Sequence, residues 1–423
     1  MSATGRRMKI AIVGSGVAGL SCAWLLREHH DVTLFEADRR FGGHAHSHEI
    51  SHGGDSFVLD SGFIVFNERT YPNLIKLFRQ IGVRSRPSDM SFGVRCRRCG
   101  IEYSSRGLGG LFATPSLLVD PRHHRLLFDI ARFGREGKAF LANAVEDLPF
   151  RDFLHRGRFS ATFARHFILP MAGAVWSAPF GRVLDFDTAA LLRFFDNHGW
   201  LTLNGAPRWL TVEGGSREYV SRLVSSLGPR VRKGAPVATV TRSSEGVFVR
   251  LAGETRVTAY DQVVLACHAD QAKRLLASPS ESEADTLAAF TYSENRTFLH
   301  ADRAVLPDRR AAWASWNCDV ADCHDDAAPV SLTYHLNRLQ ALESTSQYCV
   351  TLNPASNPGS PVFAEMLYTH PVLDRAAIRA QSRVRALSGL DRIHFAGAHM
   401  YNGFHEDGLR SAVDVARALG VEF

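Results

Sequence analysis

A short buried-type strand that leads straight into a glycine-rich turn is the feature that most constrains how this chain can fold. Residues 9–13 read KIAIV, which is typical of a parallel strand covered on both faces, and residues 14–19 read GSGVAG. Apolar residues then recur at helical spacing as far as His29, and a second strand is predicted from Asp31 to Phe35, ending at Glu36. The pattern predicts a βαβ unit with the GxGxxG motif in its strand-to-helix turn.

Each glycine of the motif has a separate physical role in such a unit. Gly14 permits the tight turn, Gly16 lets a pyrophosphate approach the backbone, and Gly19 lets the helix pack closely on the strand. The phosphates would meet free N–H groups at the helix N-terminus. The Glu36 carboxylate can accept both ribose hydroxyls, and it would repel a 2′-phosphate. The stretch therefore predicts a dinucleotide site for an unphosphorylated adenosine ribose, although the motif itself serves NAD and FAD alike.

Composition limits the class of protein. A chain of 423 residues is long enough for about two or three domain-sized units, and 45% hydrophobic with 22% charged residues is typical of a globular protein. The net charge of +6 comes from arginines spread along the chain, so no nucleic-acid partner is expected. Seven scattered cysteines, an N-terminus unlike a signal peptide and the absence of an apolar run of about 18 residues predict a cytoplasmic location.

The middle of the chain alternates between strand and helix patterns. A helix is predicted over 71–81, a hairpin over 90–96 and 101–104, and mainly helices over 115–201. Short strands are predicted over 237–240, 247–251 and 263–266, and a strand over 333–339. Polar or Pro-rich loops are predicted over 278–285, 322–329 and 353–361.

A second strand–glycine–helix pattern lies near the C-terminus. Residues 392–397 (RIHFAG) predict a buried strand ending at a glycine, and Gly408 is predicted to open a final amphipathic helix. Two such units at opposite ends of the chain predict one split binding domain, formed by residues 8–85, 202–288 and 386–423. Residues 86–201 and 289–385 would form an inserted substrate domain, with a helical subregion at about 112–200.

These residues together resemble the flavin-containing amine oxidase and phytoene-desaturase superfamily of FAD-dependent oxidoreductases, and among its members the bacterial NAD/FAD-binding, amine-oxidase-like proteins. The acid, arginine and glycine pair of the family's extended N-terminal signature are matched by Glu36, Arg40, Gly42 and Gly43. Residues 60–62 resemble the segment beside the flavin, Val237 resembles the valine that meets the adenine, and residues 394–419 resemble the closing motif.

The resemblance implies an α/β fold with a discontinuous Rossmann-like FAD-binding domain of the amine oxidase type and an inserted mixed sheet-and-helix substrate domain. The cofactor residues implied by the two sets of motifs are Gly14, Ser15, Gly16, Val17, Ala18, Gly19, Glu36, Ala37, Arg40, Gly42, Gly43, His44, Gly62, Phe63, Val237, Gly397, Ala398, Phe404, Asp407, Gly408 and Leu409. The N-terminus of the last helix would point at the flavin ring, where its dipole favours negative charge.

Five departures from the family pattern refine this expectation. Ala398 stands where an acid commonly contacts the ribityl chain, and His44 stands where many members have arginine. The stretch 292–300, taken as the strand facing flavin N5, has no lysine. The closing motif has no cysteine, so the FAD is predicted to be non-covalent. Phe404, near the usual aromatic cage, lacks a phenol hydroxyl.

The absent lysine and the aromatic middle of the chain favour hydride removal from a carbon of a hydrophobic, lipid-like substrate, as desaturation or dehydrogenation. Amine oxidation is the alternative, and a non-redox lipid-binding role or a flavin-dependent isomerase role is the second alternative. The pocket candidates are His44, Tyr334 and Phe404, and no catalytic base is identified. The electron acceptor, O2 or another molecule, and the oligomeric state are left open.

Three further patterns have an ordinary structural interpretation beside a functional one. Cys96-Arg97-Arg98-Cys99-Gly100 looks like half a zinc knuckle, to which Cys318, Cys323 or His324 could add ligands, but an incidental hairpin turn is favoured and no metal is predicted. His46 and His48 are expected to be surface or core residues. The basic amphipathic stretch 122–141 is favoured as a helix packed on its own domain, with peripheral contact at the inner membrane surface as the alternative.

Overall fold

The computed structural model describes residues 6–143, 148–176, 178–202, 207–327 and 330–423. The strands in these ranges are β1 (Lys9–Val13), β2 (Asp31–Glu36), β3 (Ser47–His52), β4 (Asp55–Asp60), β5 (Val65–Asn67), β6 (Ser85–Pro87), β7 (Phe92–Cys96), β8 (Ile101–Ser104), β9 (Trp209–Val212), β10 (Val231–Lys233), β11 (Val237–Arg242), β12 (Val247–Leu251), β13 (Val257–Tyr260), β14 (Gln262–Leu265), β15 (Thr291–His300), β16 (Trp316–Val320), β17 (Ser331–His335), β18 (Cys349–Leu352), β19 (Val362–Val372) and β20 (Ile393–Phe395).

The helices in the same ranges are α1 (Val17–Leu26), α2 (Pro72–Ile81), α3 (Gly107–Leu111), α4 (Pro121–Asn143), α5 (Phe150–Arg156), α6 (Ala161–Phe163), α7 (Leu169–Trp176), α8 (Phe180–Leu184), α9 (Thr188–Asn197), α10 (Arg217–Leu227), α11 (Ala269–Leu275), α12 (Glu281–Ala288), α13 (Leu336–Leu339), α14 (Arg375–Leu387) and α15 (His405–Ala418). A π-helical turn, Ala164–Ile168, joins α6 to α7. No helix in the described ranges is both long and apolar enough to cross a membrane.

A five-stranded parallel sheet lies at the centre of the predicted nucleotide-binding region, with the strand order β10-β2-β1-β14-β20. Its central strand is covered on both faces, because Ile10 and Ile12 pack into one apolar core while Ala11 and Val13 pack into another. The chain moves from β1 to β2 on one side and later to β14 on the other. This reversal of strand order creates a crevice at the carboxyl ends of the strands, where α/β sheets bind ligands.

The second large sheet is mixed and has seven strands in the order β19-β15-β18-β17-β16-β7-β8. All its neighbours are antiparallel except β16 and β7, which run parallel. A core containing Leu299, Val350 and Leu336 lies against part of this sheet. A phenylalanine-rich core joins Val94 and Cys318 of the sheet to the helices between residues 150 and 197. The mixed sheet-and-helix architecture predicted for the inserted part of the chain is therefore confirmed.

Most predicted elements occur where the sequence placed them. β1, β12 and the β7–β8 hairpin match, and the helix expected over 71–81 begins one residue later at Pro72. The helix expected to extend to His29 ends at Leu26. The predicted helical subregion includes residues 144–147 and 177, which lie outside the described residues. The exact division of the chain into two domains stays a prediction.

Three local predictions were wrong. Residues 278–285 were predicted as a loop, yet α12 begins at Glu281, because Ser280 and Glu283 form a reciprocal capping box and Glu283 also pairs with Arg242. The strand predicted over 333–339 ends at His335 and continues as the short helix α13. The last helix begins at His405, three residues before Gly408, because the Asp407 carboxylate accepts the Phe404 N–H and caps the first turn.

Candidate functional site

A cavity of about 880 Å³ opens at the carboxyl ends of the parallel strands and continues under the seven-stranded sheet. This volume is within the range of cofactor and ligand sites. The sequence-predicted residues that line it are Gly14, Ser15, Gly16, Val17, Ala18, Glu36, Ala37, Arg40, Gly43, His44, Gly62, Phe63, Val237, Tyr334, Gly397, Ala398 and Phe404. Residues far apart in sequence are thus assembled around one space.

The β1–α1 turn forms one wall of the cavity. Gly14 has a φ of +102° and donates its N–H to the Phe35 carbonyl at 2.8 Å. A Cβ on Gly19 would lie 1.8 Å from the Gly14 carbonyl oxygen, whereas a Cβ on Gly16 would meet no protein atom within 4 Å. Gly14 and Gly19 are therefore required by the backbone itself. Gly16 keeps space free on the cavity side, at an N-terminus of α1 that has no side-chain cap.

Glu36 is held at the edge of the cavity by hydrogen bonds from the same turn. Its Oε2 accepts the Ser15 N–H at 2.8 Å and the Ser15 hydroxyl at 2.5 Å, and its Oε1 accepts the Asp38 N–H at 2.8 Å. These bonds fix the carboxylate at the carboxyl end of β2. Oε2 already accepts two hydrogen bonds, whereas Oε1 accepts one and keeps a lone pair for a ligand hydroxyl.

Five predicted cofactor residues do not line the cavity but support the elements around it: Gly19, Gly42, Asp407, Gly408 and Leu409. Gly42 has a φ of +111° and donates its N–H to the Ser15 carbonyl at 3.1 Å. A Cβ on Gly408 would lie 2.7 Å from Val17, so this glycine lets α15 cross close to α1. Leu409 is fully buried in the core. Burial raises the pKa of the Asp407 carboxyl to about 7.

His44, which the sequence singled out, lines the cavity together with two histidines that it did not, His268 and His370. The His44 ring centre is 5.1 Å from that of Tyr368 and 5.3 Å from that of His370, and His268 stacks on Tyr292 at 4.3 Å. Burial holds the pKa of His44 well below its ordinary value and lowers that of His370 to about 4. These imidazoles are therefore neutral near pH 7. The His44 Nε2 atom is buried and has no hydrogen-bond partner within the described part of the chain.

His46 also lines the cavity, in contrast to the surface or core position expected from the sequence. Its Nδ1 lies 2.9 Å from the Tyr368 hydroxyl, and its ring centre is 4.1 Å from that of His48. His48 does not line the cavity but pairs with the Ser61 hydroxyl at 2.9 Å. The two imidazoles thus support Tyr368 and Ser61, whose hydroxyls are 2.7 Å apart.

The far half of the cavity is aromatic. Phe404 stacks on Phe194 with ring centres 4.9 Å apart and planes at 17°, and Phe194 also contacts Trp176 at 4.8 Å. The other apolar, aromatic and histidine residues that line the cavity outside the predicted cofactor motifs include Ile64, Val65, Tyr71, Met90, Val175, His198, Trp200, Trp209, Trp316, Tyr334, Leu339, Leu352, Met366 and Leu367. Among the described residues, the charged side chains that line the cavity are Glu36, Asp38, Arg40 and Arg274, and all four belong to the nucleotide-binding region.

The strand that faces the cavity differs from the one expected. Of β15, only Tyr292 lines the cavity, while Thr297 and His300 are buried elsewhere. Its antiparallel partner β19 contributes residues 366–371 instead, and these include no lysine. Sequence reasoning missed β19, which is an edge strand whose residues are mostly exposed or half-buried. The run Tyr368-Thr369-His370 was the available signal.

The residues present fit an FAD molecule. The space beside Gly16 is free, Glu36 is fixed where a ribose would need it, and a neutral apolar region adjoins this nucleotide end. Two buried polar atoms on the cavity wall, Arg40 Nη1 and His44 Nε2, have no hydrogen-bond partner among the residues that the structure describes, and they suit a polar ligand. The cysteine that lines the cavity, Cys267, has a thiol pKa raised to about 12 by burial, so it is not a nucleophilic thiolate.

Comparison with known proteins agrees with this geometry. A family model described as flavin-containing amine oxidoreductase matches residues 17–369. Amine oxidase [flavin-containing] A of Bos taurus is 26% identical over 262 residues, which cover 59% of this chain and 47% of that protein. Carotenoid phi-ring synthase of Chlorobaculum tepidum is 26% identical over 273 residues, which cover 58% of this chain and 40% of that protein. The chain thus aligns with less than half of the length of these relatives.

A solved structure with the same overall fold is the CLA-producing fatty acid isomerase from P. acnes. The two chains superpose with a TM-score of 0.71 at 15% identity, and the match covers 100% of each. At this identity the similarity establishes the α/β fold predicted from the sequence, with its Rossmann-like domain of the amine oxidase type, and not the reaction.

Proposed function

This chain belongs to the flavin-containing amine oxidoreductase family, and we propose that it is an FAD-dependent oxidoreductase that removes hydride from a carbon of a hydrophobic, lipid-like substrate. The family relationship supports the flavin cofactor and the oxidoreductase class of the reaction. The substrate class rests on one observation, which is the separation of charged and apolar side chains within the cavity.

That separation favours an uncharged substrate chain. The four charged side chains on the described cavity wall lie at the nucleotide end, and the far half is formed by aromatic, aliphatic and neutral polar groups. A charged substrate group placed there would lose its hydration without gaining an ion pair, which is costly. An acyl or polyene chain loses little by the same transfer and gains from burial of its apolar surface.

The residues proposed to hold FAD are those of the two glycine-containing motifs. The Gly14–Gly19 turn and the N-terminus of α1 would hold the pyrophosphate, Glu36 the adenosine ribose and Val237 the adenine. Arg40, Gly43, His44, Gly62, Phe63 and Gly397 to Phe404 would surround the rest of the molecule. The high pKa of the Cys267 thiol supports non-covalent attachment. The segments 8–85, 202–288 and 386–423 would constitute this domain.

FAD, when bound, supplies the hydride acceptor for the reaction. The protein would position the substrate, exclude water from it and set the polarity of its surroundings. The wall that includes Trp176, Phe194 and Phe404 excludes water from the substrate chain. His44 Nε2 is free to make one hydrogen bond to a polar group in the cavity. The N-terminus of α15, beside His405, favours negative charge near its first turn.

Amine oxidation is the second candidate, and the stacked pair of Phe194 and Phe404 is the observation that favours it. Aromatic faces attract cations, so an amine could bind there without a carboxylate. An isomerase role is the third candidate, because the solved fatty acid isomerase shows that this fold accommodates such an enzyme. All three candidates use the same cavity.

Anaerobic mixing of the flavin-loaded protein with panels of substrates separates the three. We expect an unsaturated or branched fatty acyl chain to bleach the flavin absorbance, and primary and secondary amines to leave it unchanged. Product analysis of the same samples distinguishes a new double bond from a shifted one. Rapid bleaching by a simple amine and none by any lipid would overturn the proposed substrate class. A shifted double bond without bleaching would favour the isomerase.

We also propose that the protein takes its substrate from a membrane surface through an exposed surface formed by α4 and the residues just before it, Leu118 and Val119. Val119, Leu118 and Phe128 are 83%, 57% and 57% exposed. His124 Nε2 lies 2.8 Å from the Leu118 carbonyl, and Phe128 follows His124 by one helical turn, so these apolar groups share one side. Arg135 and Lys138 continue the same face. Arg132 does not belong to it, because its guanidinium pairs with Asp129 and Glu136.

A further inference from the structure

Four potential metal ligands meet at a place that is separate from the cavity. Side-chain ligand atoms of Cys96, Cys99, His166 and Cys323 all lie within 4.8 Å of one another, and the sulfur atoms of Cys99 and Cys323 are 3.6 Å apart. Cys96, His166 and Cys323 are buried, and Cys99 is exposed at the surface. None of the four lines the flavin cavity. The cluster therefore has no part in the redox site.

The fold itself brings three distant segments to this point. Cys96 is the last residue of β7 and pairs in register with Val320, the last residue of the parallel strand β16. The loops that follow the two strands therefore begin at the same edge of the sheet. The Arg97 N–H donates to the Val320 carbonyl at 2.9 Å, and Arg98 pairs with Asp322 at 2.6 Å. These contacts align the turn that carries Cys99 with the loop that carries Cys323.

His166 is the observation that points to a missing ligand. It is 7% exposed, and both of its ring nitrogens are buried without a hydrogen-bond partner among the described residues. A buried imidazole with no partner is costly unless another group satisfies it. The π-helical turn Ala164–Ile168 sets its position, and the His166 carbonyl accepts the Tyr103 hydroxyl at 2.6 Å. Widened helical turns of this kind are frequent at functional sites.

We propose that Cys96, Cys99, Cys323 and His166 bind one zinc ion as a closed Cys3His centre. Zinc prefers four tetrahedral sulfur and nitrogen ligands, and a Zn–S distance of about 2.3 Å places two sulfur atoms about 3.8 Å apart. The 3.6 Å between Cys99 and Cys323 is close to this value. The three thiols lose their protons on binding. Four protein ligands leave no position for water, so the centre is structural.

Three thiolates and one imidazole around Zn2+ carry a net charge of −1. The guanidinium groups of Arg98 and Arg122 lie near enough to the Cys99 thiol to interact with it electrostatically, and they offset this charge. The centre would connect the β7–β8 hairpin, the helical subregion and the loop after β16. It would thereby fix the helices that cover the aromatic half of the cavity onto the seven-stranded sheet.

Three of these four ligands were candidates in the sequence, although no metal was predicted from them. The CxxC pair was noted and Cys323 was one of several possible partners, but Cys318 and His324 are not in the cluster. The Cys318 thiol lies 3.8 Å from the Pro170 carbonyl inside the core. His166 follows no recognisable spacing and is supplied by the tertiary structure.

Metal analysis of the purified full-length protein tests the proposal. After dialysis without strong chelators we expect about one zinc per chain in the wild type and in Cys318→Ala, which alters a buried cysteine of β16 outside the cluster. We expect Cys323→Ser and His166→Ala to lose at least about nine tenths of the metal. Removal of zinc from the wild type should lower the thermal midpoint by about 5 °C or more, and added ZnCl2 should restore it.

A second measurement keeps the test valid for variants that fold poorly. The metal-free wild type is titrated with Co2+, and thiolate-to-cobalt absorbance is expected to saturate at about one equivalent in wild type and in Cys318→Ala. A wild type that contains no zinc and shows no such absorbance would overturn the proposal. So would full zinc content in both Cys323→Ser and His166→Ala. An intact mass two hydrogens lower under non-reducing conditions in wild type but not in Cys323→Ser would instead identify a disulfide of Cys323 and overturn the zinc centre.

Discussion

At Gly16 the absence of a side chain leaves space for a ligand and is not required by the fold. Gly14 and Gly19 are fixed by contacts with neighbouring backbone, but a Cβ at Gly16 would meet no protein atom within 4 Å. Its φ of −62° also suits any residue. A side chain here would therefore extend into the cavity without disturbing the βαβ unit.

We expect Gly16→Val to fold normally but to lose FAD, because its side chain would occupy pyrophosphate space. Gly109→Val is the matched control, since a Cβ there also meets no atom within 4 Å and the site lies on α3, outside the cavity. The ratio of flavin to protein absorbance measures the effect. Acid should release free FAD from the wild type. Flavin retained by Gly16→Val, or flavin that stays bound to denatured protein, would contradict non-covalent binding at this turn.

At the scale of elements, α15 stabilises two parts of the site at once. Its Glu406 carboxylate accepts the N–H groups of Asn73 and Leu74 at 3.1 and 3.0 Å, so it caps the N-terminus of α2. Its Asp407 caps its own first turn. The segment 402–405, which lines the cavity, is thereby held between two helices.

We expect the exposed surface of α4 and the residues just before it to bind anionic membranes. We expect the wild type to sediment with vesicles containing phosphatidylglycerol, and less at high salt, because attraction to the surface is screened over about 8 to 10 Å near physiological ionic strength. The double variant Val119→Asp/Phe128→Glu should bind at least about five-fold less. Val257→Asp, at a 52% exposed valine on β13, is the control. Equal binding to neutral and anionic vesicles, or none to either, would remove the proposal.

At the scale of the whole molecule, the number of buried neutral histidines makes stability depend on pH. Burial lowers the pKa of His46, His399 and His405 to about 3 and that of His198 and His370 to about 4. Each imidazole binds a proton near pH 6.5 when the chain unfolds but stays neutral in the folded protein. The stability from these groups is complete above pH 6.5 and is lost as pH falls towards about 4.

Two carboxyl groups oppose this trend. Burial raises the pKa of Asp60 to about 6 and that of Asp407 to about 7, so their contribution falls as pH rises from about 4 towards those values. The histidines are more numerous, and each contributes at most about 1.4 kcal/mol per pH unit. We therefore expect the thermal midpoint of the flavin-loaded protein to fall steadily from pH 7 to pH 5.

The variant His370→Asn should reduce that slope, and His29→Asn, which alters an exposed histidine, should leave it unchanged. Differential scanning fluorimetry at constant excess FAD measures both. A midpoint that rises from pH 7 to pH 5 would show that the carboxyl groups dominate.

The sequence by itself determined the nucleotide-binding part of this protein. The first strand, the GxGxxG turn, the helix, the second strand and the acid follow one another along the chain. Their conformations depend on backbone sterics between neighbouring residues, so the local sequence is enough to predict them. The hairpin at residues 90–104 and the strand before Gly397 were predictable for the same reason. Misplaced boundaries, such as the start of α15 at His405 and the helix after Ser280, arose from side-chain caps that outweigh composition.

Only the tertiary structure decided what meets across the sheets. His44, His370 and Tyr368 come together because β19 pairs antiparallel with β15 and turns one face to the cavity. His166 joins Cys96, Cys99 and Cys323 because two parallel strands end at the same edge of a sheet and a helical turn packs over that edge. The segments that supply these groups are separated by tens to hundreds of residues, and no periodicity in the sequence connects the segments. Their proximity is a property of strand pairing and packing, which a local pattern does not encode.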